Sequence, residues 1–446
     1  VTAAPRRCGS VGARALAGAA IVLLTLAGCS GSKPAAAPPA ATTVTPPARA
    51  SKPSIAVVAG PFAVSGNKVL AGSGEQFVPY GFVLYCLAIP SVDCSKASAG
   101  NPSTDADKIR AAASFWHANV VRLQVAQERL FAGTGGTTNQ VDPAYLAQLD
   151  SEVALAHQLK MVVILTLQEE RFSGPPLPDA TAIPFWDAMA HHYQGDPMAM
   201  FDIYNEPRLK SQDFPAGAAP TSADFPTSGA ALQKTIWDLW KDGGTATVAG
   251  GANGQPTAYT FVGMQRILDG IRATGAQNIV VAEGNHGDHD LSGVAGLPKA
   301  SGGQATYRLS GSNVVYGIEP DLNARPLGPI PAMQTPAQWD RVFGNLSKIV
   351  PIMSEAYQDW SPNGFCYPKS PTVVPMLLDY LQSLHMGLIA WTLSPGILIQ
   401  GNDLQKPTTF DGITVQPCGQ TFDPAGTTGP GADILQFFSR YSPQTG

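Results

Sequence analysis

Hydrophobic residues form eight short, continuous runs along this chain. The runs do not alternate with polar residues, and this is typical of strands that are covered on both faces, as in a parallel sheet. They are Val78–Ala88, Asn119–Val125, Met161–Gln168, Ala199–Tyr204, Asn278–Ala282, Asn313–Ile318, Ile349–Ser354 and Met386–Thr392. A predicted hairpin around Ser65-Gly66-Asn67 precedes the first run.

Stretches with helical spacing of apolar residues lie between most of these runs. They are Asp105–Ala118, Pro143–Lys160, Ala258–Thr274, Thr335–Lys348, Pro371–His385 and Ala432–Tyr441. Eight strands that alternate with helices predict an α/β fold, a (β/α)8 TIM barrel with long loops at its C-terminal face. An open doubly wound sheet is the alternative, which we disfavour because no glycine-rich phosphate loop follows an early strand.

The longest loops all follow predicted strands. They are Arg208–Thr257, Glu283–Ser312, Asp359–Pro371 and Ser394–Gly431. In a barrel, the loops that follow the strands build the face that carries the active site. We therefore expect the functional residues at the ends of the strands and in these loops.

The first 53 residues differ from the rest. Three arginines precede the apolar run Ala15–Ala27, which is too short to span a membrane comfortably. The run ends in Leu26-Ala27-Gly28-Cys29, which resembles a bacterial lipobox and implies cleavage before Cys29 and lipidation of its thiol. Residues 1–29 are thus predicted to be a lipoprotein signal peptide, with a plain secretory signal as the alternative. Residues 30–53 are a Pro/Ala-rich linker, and residues 54–446 form the globular domain.

Composition narrows the range of partners. Of the 446 residues, 44% are hydrophobic and 14% charged, and the net charge is -5. The chain has no run rich in Lys and Arg, so nucleic acid is not expected as a partner. A neutral ligand suits this charge balance, and we expect a monomer held at the outer face of the bacterial membrane by its N-terminal lipid, or secreted.

Four cysteines remain once Cys8 is removed and Cys29 is lipidated. Outside the cytoplasm they should be oxidised, and four cysteines allow three pairings. We prefer Cys86–Cys94 with Cys366–Cys418, because each pair joins neighbouring loops. A zinc site built from these cysteines is disfavoured, because no C-x-x-C spacing occurs.

Two of the predicted strands end on a glutamate. Pro207 cannot continue a sheet, so the strand Ala199–Tyr204 ends at Asn205-Glu206. The run Ile349–Ser354 ends in the same way at Glu355. Two carboxyl groups at the ends of two strands of one barrel suit the cleavage of a glycosidic bond, and a separation of ~5 Å would give retention of configuration.

The strand order, the sequence Phe201-Asp202-Ile203-Tyr204-Asn205-Glu206-Pro207 and the glutamate that ends the seventh strand resemble glycoside hydrolase clan A, and family 5 in particular. This resemblance implies that Glu206 is the general acid/base and Glu355 the nucleophile. It also implies that Arg122 pairs with the nucleophile, that Asn205 binds the sugar 2-hydroxyl and that Trp391 lies under the reacting sugar.

The chain departs from this family at three strands. The asparagine that usually follows glycine in the first strand is missing from Tyr80-Gly81-Phe82-Val83, and the other two departures lie at strand ends. Gln168 stands where the third strand has His in the family, and is a candidate hydroxyl ligand. Glu319 replaces the His of the sixth strand; it is a sugar ligand, a loop-structuring residue or the true nucleophile. His286 lies in the run Glu283–Asp290, which is a polar substrate loop, a solvated loop or a metal site. Tyr357 is a candidate for stacking on a neighbouring sugar.

The sequence therefore predicts a membrane-tethered, retaining glycoside hydrolase whose partner is a β-linked oligo- or polysaccharide. No cofactor and no metal are expected. A catalytically silent carbohydrate-binding protein on the same barrel and a transglycosylase are the alternatives. An assay with aryl β-glycosides distinguishes the silent protein from an enzyme.

Overall fold

The computed structural model describes residues 59–443, except for 89–93, 95–104, 132–139, 169–174, 216–218, 250–254, 321–332, 356, 358–359, 362–364, 367–369 and 410–427. All described residues belong to one compact unit, Ser54–Gly446. In the described part of the chain, no helix is both long and apolar enough to cross a membrane. The signal peptide, Cys29 and the linker lie outside the described residues.

The structure contains the predicted barrel strands together with several short hairpins. In chain order the strands are β1 Ala63–Ser65, β2 Lys68–Leu70, β3 Tyr80–Leu84, β4 Val120–Ala126, β5 Val162–Gln168, β6 Ala199–Asp202, β7 Gly244–Val248, β8 Thr257–Phe261, β9 Val280–Glu283, β10 Leu297–Pro298, β11 Gln304–Ala305, β12 Val314–Ile318, β13 Ile352–Ser354, β14 Trp360–Ser361, β15 Phe365–Cys366 and β16 Leu388–Ala390.

Helices connect the barrel strands and cover them from outside. They are α1 Asp105–Ser114, α2 Gln127–Leu130, α3 Pro143–Gln158, α4 Ala182–Tyr193, α5 Ser228–Asp242, α6 Met264–Ala273, α7 Asn285–Asp288, α8 Ser292–Ala295, α9 Pro336–Trp339, α10 Ser370–Ser383 and α11 Pro430–Tyr441. Helix α3 shows how the sequence sets such a boundary. Asp142 accepts hydrogen bonds from the backbone N–H groups of Ala144 and Tyr145, and Pro143 occupies the first helical position.

Eight parallel strands form one sheet in the order β13-β12-β9-β6-β5-β4-β3-β16. The ends of the sheet meet beyond β13, where Tyr357 forms a parallel bridge with Ala390. The backbone N–H of Tyr357 donates to the carbonyl of Ile389, and the N–H of Trp391 donates to the carbonyl of Tyr357. The predicted (β/α)8 TIM barrel is therefore confirmed.

Alternate residues of each barrel strand point inwards, because side chains alternate across a strand. The inward residues at the lower level form one apolar cluster, which includes Val83, Ile164, Met200, Val281 and Met353. Phe62 and Phe77, on either side of the β1–β2 hairpin, belong to the same cluster and close the N-terminal end of the barrel. The C-terminal end is left for polar side chains.

The outward residues of the strands pack with the helices in a second, larger apolar cluster. Trp186, Trp237 and Trp240 are fully buried in it. Trp237 and Trp240 lie on helix α5, inside the predicted loop Arg208–Thr257, and both belong to the main cluster. The Trp240 indole donates to the carbonyl of Glu283, at the end of β9.

Two of the predicted segments need correction. Thr257–Phe261, the start of the predicted helix Ala258–Thr274, is strand β8, because its alternating pattern pairs antiparallel with β7. The helix begins only after Gly263, whose φ of +75° is not helical and is readily adopted by glycine. The segment Thr335–Lys348 is helical, but it divides into α9, a π-helical stretch and a 3-10 turn.

Cys86 and Cys94 form a disulfide in the structure, as expected from the sequence. The bridge ties together the chain that follows β3, at the same end of the barrel as the polar side chains. The pairing Cys366–Cys418 lies outside the described side chains and stays a prediction.

Candidate active site

Polar side chains form the upper level of the barrel interior. In most strands, the inward residue that follows the apolar cluster by two positions is polar or aromatic rather than aliphatic. These side chains are Arg122 and Gln124 of β4, Thr166 and Gln168 of β5, Asp202 of β6, Glu283 of β9, and Glu319, Glu355 and Trp391 just beyond β12, β13 and β16. The strands thus bring residues from distant parts of the sequence to one opening.

Arg122 is the centre of this group. Its Nε lies 2.9 Å from Asp202 Oδ2 and 3.2 Å from Glu355 Oε2, and its Nη2 contacts Glu283 Oε1. The side chain is fully buried. Burial alone lowers the pKa of Arg122, but Asp202, Glu283 and Glu355 outweigh it and raise the pKa well above its usual value. Arg122 is therefore a permanent buried cation that three acids share.

Asn205 is oriented by two donors. Its Oδ1 accepts hydrogen bonds from Arg122 Nη2 and Gln124 Nε2, both at 3.0 Å. Because the carbonyl end of the amide is engaged by these donors, the NH₂ end is turned away from them. An NH₂ group fixed in this way is suited to donate to a hydroxyl of a bound sugar.

Glu206 lies at the edge of the same opening and is only partly buried. Its φ of +49° is uncommon for a residue other than glycine. Its backbone N–H donates to Glu283 Oε2 at 2.5 Å. The N–H of Gly287 donates to the carbonyl of Pro207 at 2.7 Å. The loop after β9 thus supports the turn that carries Glu206.

Glu355 is fully buried beside Arg122. Burial raises the pKa of Glu355 to about 8; Arg122 lowers it, Asp202 raises it, and a hydrogen bond from Glu283 lowers it. The site therefore holds a carboxyl group whose charge is set by its neighbours rather than by water. Glu206 and Glu355 belong to one cluster, because Glu283 contacts the backbone of the first and the side chain of the second.

Asp202 was not selected from the sequence, and Glu283 and Asp288 were considered only within the run Glu283–Asp290. All three are fully buried. Burial, followed by Asp202, raises the pKa of Glu283 well above its usual value. Burial, followed by Glu355, does the same for the pKa of Asp288. The signal was present in the sequence: Asp202 and Glu283 each follow an inward apolar residue, Met200 and Val281, by two positions.

One group of three acids in the described part of the chain is close enough to hold a metal ion. One oxygen from each of Asp202, Glu283 and Glu355 lies within 4.8 Å of the others. Arg122 already contacts all three side chains, however. The group therefore has an internal cation, and we assign no metal to it.

Trp391 is half-buried at the mouth of the barrel. Its ring stacks on Tyr85, with centroids 5.2 Å apart and an angle of 16° between the planes. The Tyr85 hydroxyl hydrogen-bonds to Ser394 Oγ at 3.1 Å. Tyr85, which sequence reasoning did not select, thus holds the indole of Trp391 in place.

The suggestion that Tyr357 stacks on a sugar is wrong. Its side chain is only 2% exposed and packs in the outer apolar cluster, and its backbone joins β13 to β16. A residue that closes the barrel cannot leave the core to contact a ligand. Tyr357, the second residue after Glu355, therefore serves the fold rather than the opening.

The structure brings Gln168 and Glu319 to the same end of the barrel. Gln168 is the last residue of β5, and Glu319 follows β12; both are buried. The Glu319 N–H donates to the carbonyl of Asp288 at 2.8 Å, so the two loops are joined. His286 is half-buried in the turn α7 and lowers the pKa of Asp213 and Asp290, although burial raises the pKa of both acids overall.

Residues 85–317, more than half of the chain, match the sequence model of the cellulase family, glycosyl hydrolase family 5. The chain belongs to this family. It is therefore a glycosidase, and the family explains why paired acids lie at the ends of barrel strands. No curated relative matches the chain by sequence.

Solved structures of cellulases have the same fold as this family 5 chain. A β-glucanase from Saccharophagus degradans has 16% sequence identity and a TM-score of 0.53, with 90% of this chain and 99% of the other covered. The catalytic domain of Thermobifida fusca endoglucanase Cel5A has 13% identity and a TM-score of 0.52, with 85% and 97% covered. The Saccharophagus degradans protein has also been solved in complex with cellotetraose.

Proposed function

We propose that this protein hydrolyses a β-linked glycan by double displacement with retention of configuration. The observation that carries this proposal is the chain of contacts from the backbone of Glu206 through Glu283 to the Glu355 carboxyl, with Arg122 beside it. This chain of contacts supports a paired action of the two glutamates on one glycosidic bond.

The first step divides the work between the two glutamates. The Glu206 carboxyl gives its proton to the glycosidic oxygen while the Glu355 carboxylate attacks the anomeric carbon. The C–O bond to the leaving group breaks as the ester bond to Glu355 forms. Glu206, now ionised, takes a proton from water in the second step, and the hydroxide oxygen displaces Glu355 from the anomeric carbon.

The neighbouring groups support these steps. Arg122 is placed to favour the ionised form of Glu355 before attack, because it lowers the pKa of that carboxyl. The oriented amide of Asn205 would donate to the sugar 2-hydroxyl, where hydrogen bonds strengthen in the transition state. Trp391 would offer the free face of its ring to the sugar, and Gln168 and Glu319 would bind hydroxyl groups.

A β-linked glucan is the substrate class we favour. The support comes from the cellotetraose complex of the Saccharophagus degradans β-glucanase, which shares the fold. The test compares release of reducing sugar from carboxymethyl cellulose, mannan and laminarin by the wild-type protein and by Glu355→Gln. Activity on one of the glucans that is lost in the variant supports the proposal.

Two other outcomes would overturn the proposed hydrolysis. Measurable binding of a glycan without turnover would favour a silent carbohydrate-binding protein. Transfer to an added sugar acceptor in preference to water would favour a transglycosylase. Cleavage of mannan alone would leave the mechanism in place and reject the glucan.

We also propose that a lipid on Cys29 tethers the domain to the outer face of the cell membrane. The support is the lipobox-like sequence Leu26-Ala27-Gly28-Cys29 and the Pro/Ala-rich segment after it. Incorporation of labelled palmitate into the full chain, and its loss in Cys29→Ala, is the expected result; an unlabelled wild-type chain would reject the anchor.

A further inference from the structure

Glu283 lies between the two glutamates of the proposed mechanism, and the inference below depends on that mechanism. One of its oxygens contacts Arg122 Nη2, and the other accepts the backbone N–H of Glu206 at 2.5 Å. One of its oxygens also lies within 4.8 Å of an oxygen of Glu355. A single side chain thus contacts the turn of the acid/base residue and the buried cation, and it lies next to the nucleophile.

A glycine of the neighbouring strand leaves space for the Glu283 side chain. Strand β12 lies between β9 and β13, and Gly317 of β12 is paired in register with both Glu283 and Met353. A Cβ atom at Gly317 would lie 2.9 Å from Glu283 Cγ and 3.2 Å from Asp288 Oδ2. The missing side chain therefore opens the path by which Glu283 extends across β12 towards Glu355.

The buried charges of this group do not balance if every acid is ionised. Asp202, Glu283, Asp288 and Glu355 are all fully buried around one guanidinium, that of Arg122. Carboxylates this close together in a site of low polarity cannot all carry charge. Asp202 accepts hydrogen bonds from both Nε and Nη2 of Arg122. Burial raises the pKa of both Glu283 and Asp288 well above the usual value, and this agrees with protonation of those two groups.

We propose that Glu283 is a positioning residue that holds a proton at neutral pH and donates its O–H to the carboxylate of Glu355. This hydrogen bond favours the ionised form of Glu355 and orients its carboxyl group, while the other contacts of Glu283 hold the turn at Glu206. No covalent bond changes in this arrangement, and the proton remains between the two carboxyl groups. Such a residue acts through Glu355 and does not need to touch the sugar.

Two substitutions distinguish a neutral donor from a buried anion. Glu283→Gln keeps a neutral side chain with a donor, whereas Glu283→Met keeps a similar volume without one. The acidic limb of the kcat/KM profile reports the ionisation of Glu355 in the free enzyme. Loss of the donor in Glu283→Met should move this limb to higher pH by about one unit. Glu283→Gln should move it by less than half as much.

The opposite sign would overturn the proposal. If Glu283 is an anion, both substitutions remove a negative charge next to Glu355, and the acidic limb moves to lower pH in both. Equal shifts to higher pH would also reject it, because the donor would then have no separate role. A lower kcat with an unmoved acidic limb of the pH profile would mean that Glu283 acts by packing alone, and this would also reject the proposal.

A measurement that does not need turnover separates this inference from the proposed function. Infrared spectra of the full-length wild-type protein at pH 7 should contain the C=O band of a buried carboxylic acid that Glu283→Gln lacks. If Glu283→Gln instead lacks a carboxylate band, the inference is wrong. Wild-type protein that cleaves no glycan but shows the acid band would reject the proposed function and retain the proton on Glu283.

Discussion

Replacing Glu355 by Gln is expected to reduce kcat on the order of 10⁴-fold or more, because the amide cannot form the covalent intermediate. Glu206→Gln should lower kcat about 10²–10⁴-fold on a natural glycan, since protonation of the leaving oxygen is lost. With a dinitrophenyl leaving group the first step needs no acid, so the loss in Glu206→Gln should then shrink. The measurement is kcat for both substrates, with Glu355→Gln remaining inactive on each.

Azide distinguishes the two roles, because it takes the place of the nucleophile in one variant and of the attacking water in the other. In Glu355→Gly, azide enters from the face that the carboxylate occupied and gives a glycosyl azide of inverted configuration. In Glu206→Gly, azide attacks the covalent intermediate and gives the retained product. The exposed Glu75 at the other end of the barrel offers a control, and Glu75→Gln should keep wild-type kcat. Rescue with the two configurations exchanged would reverse the roles of Glu206 and Glu355.

Replacing Arg122 by Met is expected to lower the free energy of unfolding by about 3–5 kcal/mol at pH 8, because buried acids lose their cation. Glu283 and Glu355 have pKa values that are raised on folding, so the folded state binds more protons than the unfolded state between about pH 4 and pH 8. The contribution of these two groups to the free energy of unfolding is therefore fully present below their unfolded pKa. It is lost as the pH rises through their folded pKa values. Arg122 lowers both pKa values, so its removal should make this fall steeper.

Denaturant unfolding at pH 5 and pH 8 tests this expectation. The decrease in the free energy of unfolding in Arg122→Met should be clearly smaller at pH 5, because more of the buried acids are protonated and neutral at that pH. The control is Arg110→Met, because Arg110 and its partner Asp107 are exposed on helix α1 and such pairs contribute less than about 1 kcal/mol. An equal loss at both pH values would mean that Arg122 stabilises the barrel by packing rather than by charge.

Much of the fold could be predicted from the sequence because buried parallel strands leave a strong signal. All eight continuous apolar runs correspond to barrel strands, and the turn at Asn205-Glu206-Pro207 lies where proline ends the strand. The errors fell outside the barrel. Helix α5 and strand β7 lie in the predicted loop Arg208–Thr257. Strand β8 was predicted as the start of a helix, because Thr257–Phe261 combines alternating residues with an apolar spacing that also suits a helix.

The site was harder to predict than the fold, because its contacts join distant strands. The sequence indicated that Arg122 needs an acidic partner, but not that Asp202, Glu283 and Glu355 would share it. Glu283 was considered only within the run Glu283–Asp290, as part of a polar loop or a metal site. Its role depends on the register that sets Gly317 beside it, and register between strands is not readable from one chain. Counting inward positions in steps of two from the apolar level would have selected it.

The most direct test of the paired action of Glu206 and Glu355 is the configuration of the first product. Proton NMR during the first minutes of cleavage follows the anomeric signals of the new reducing end before the two anomers interconvert. The double-displacement mechanism predicts that the β-anomer appears first and that the α-anomer grows in later. An α-anomer as the first product would contradict it, since a single displacement by water inverts the configuration.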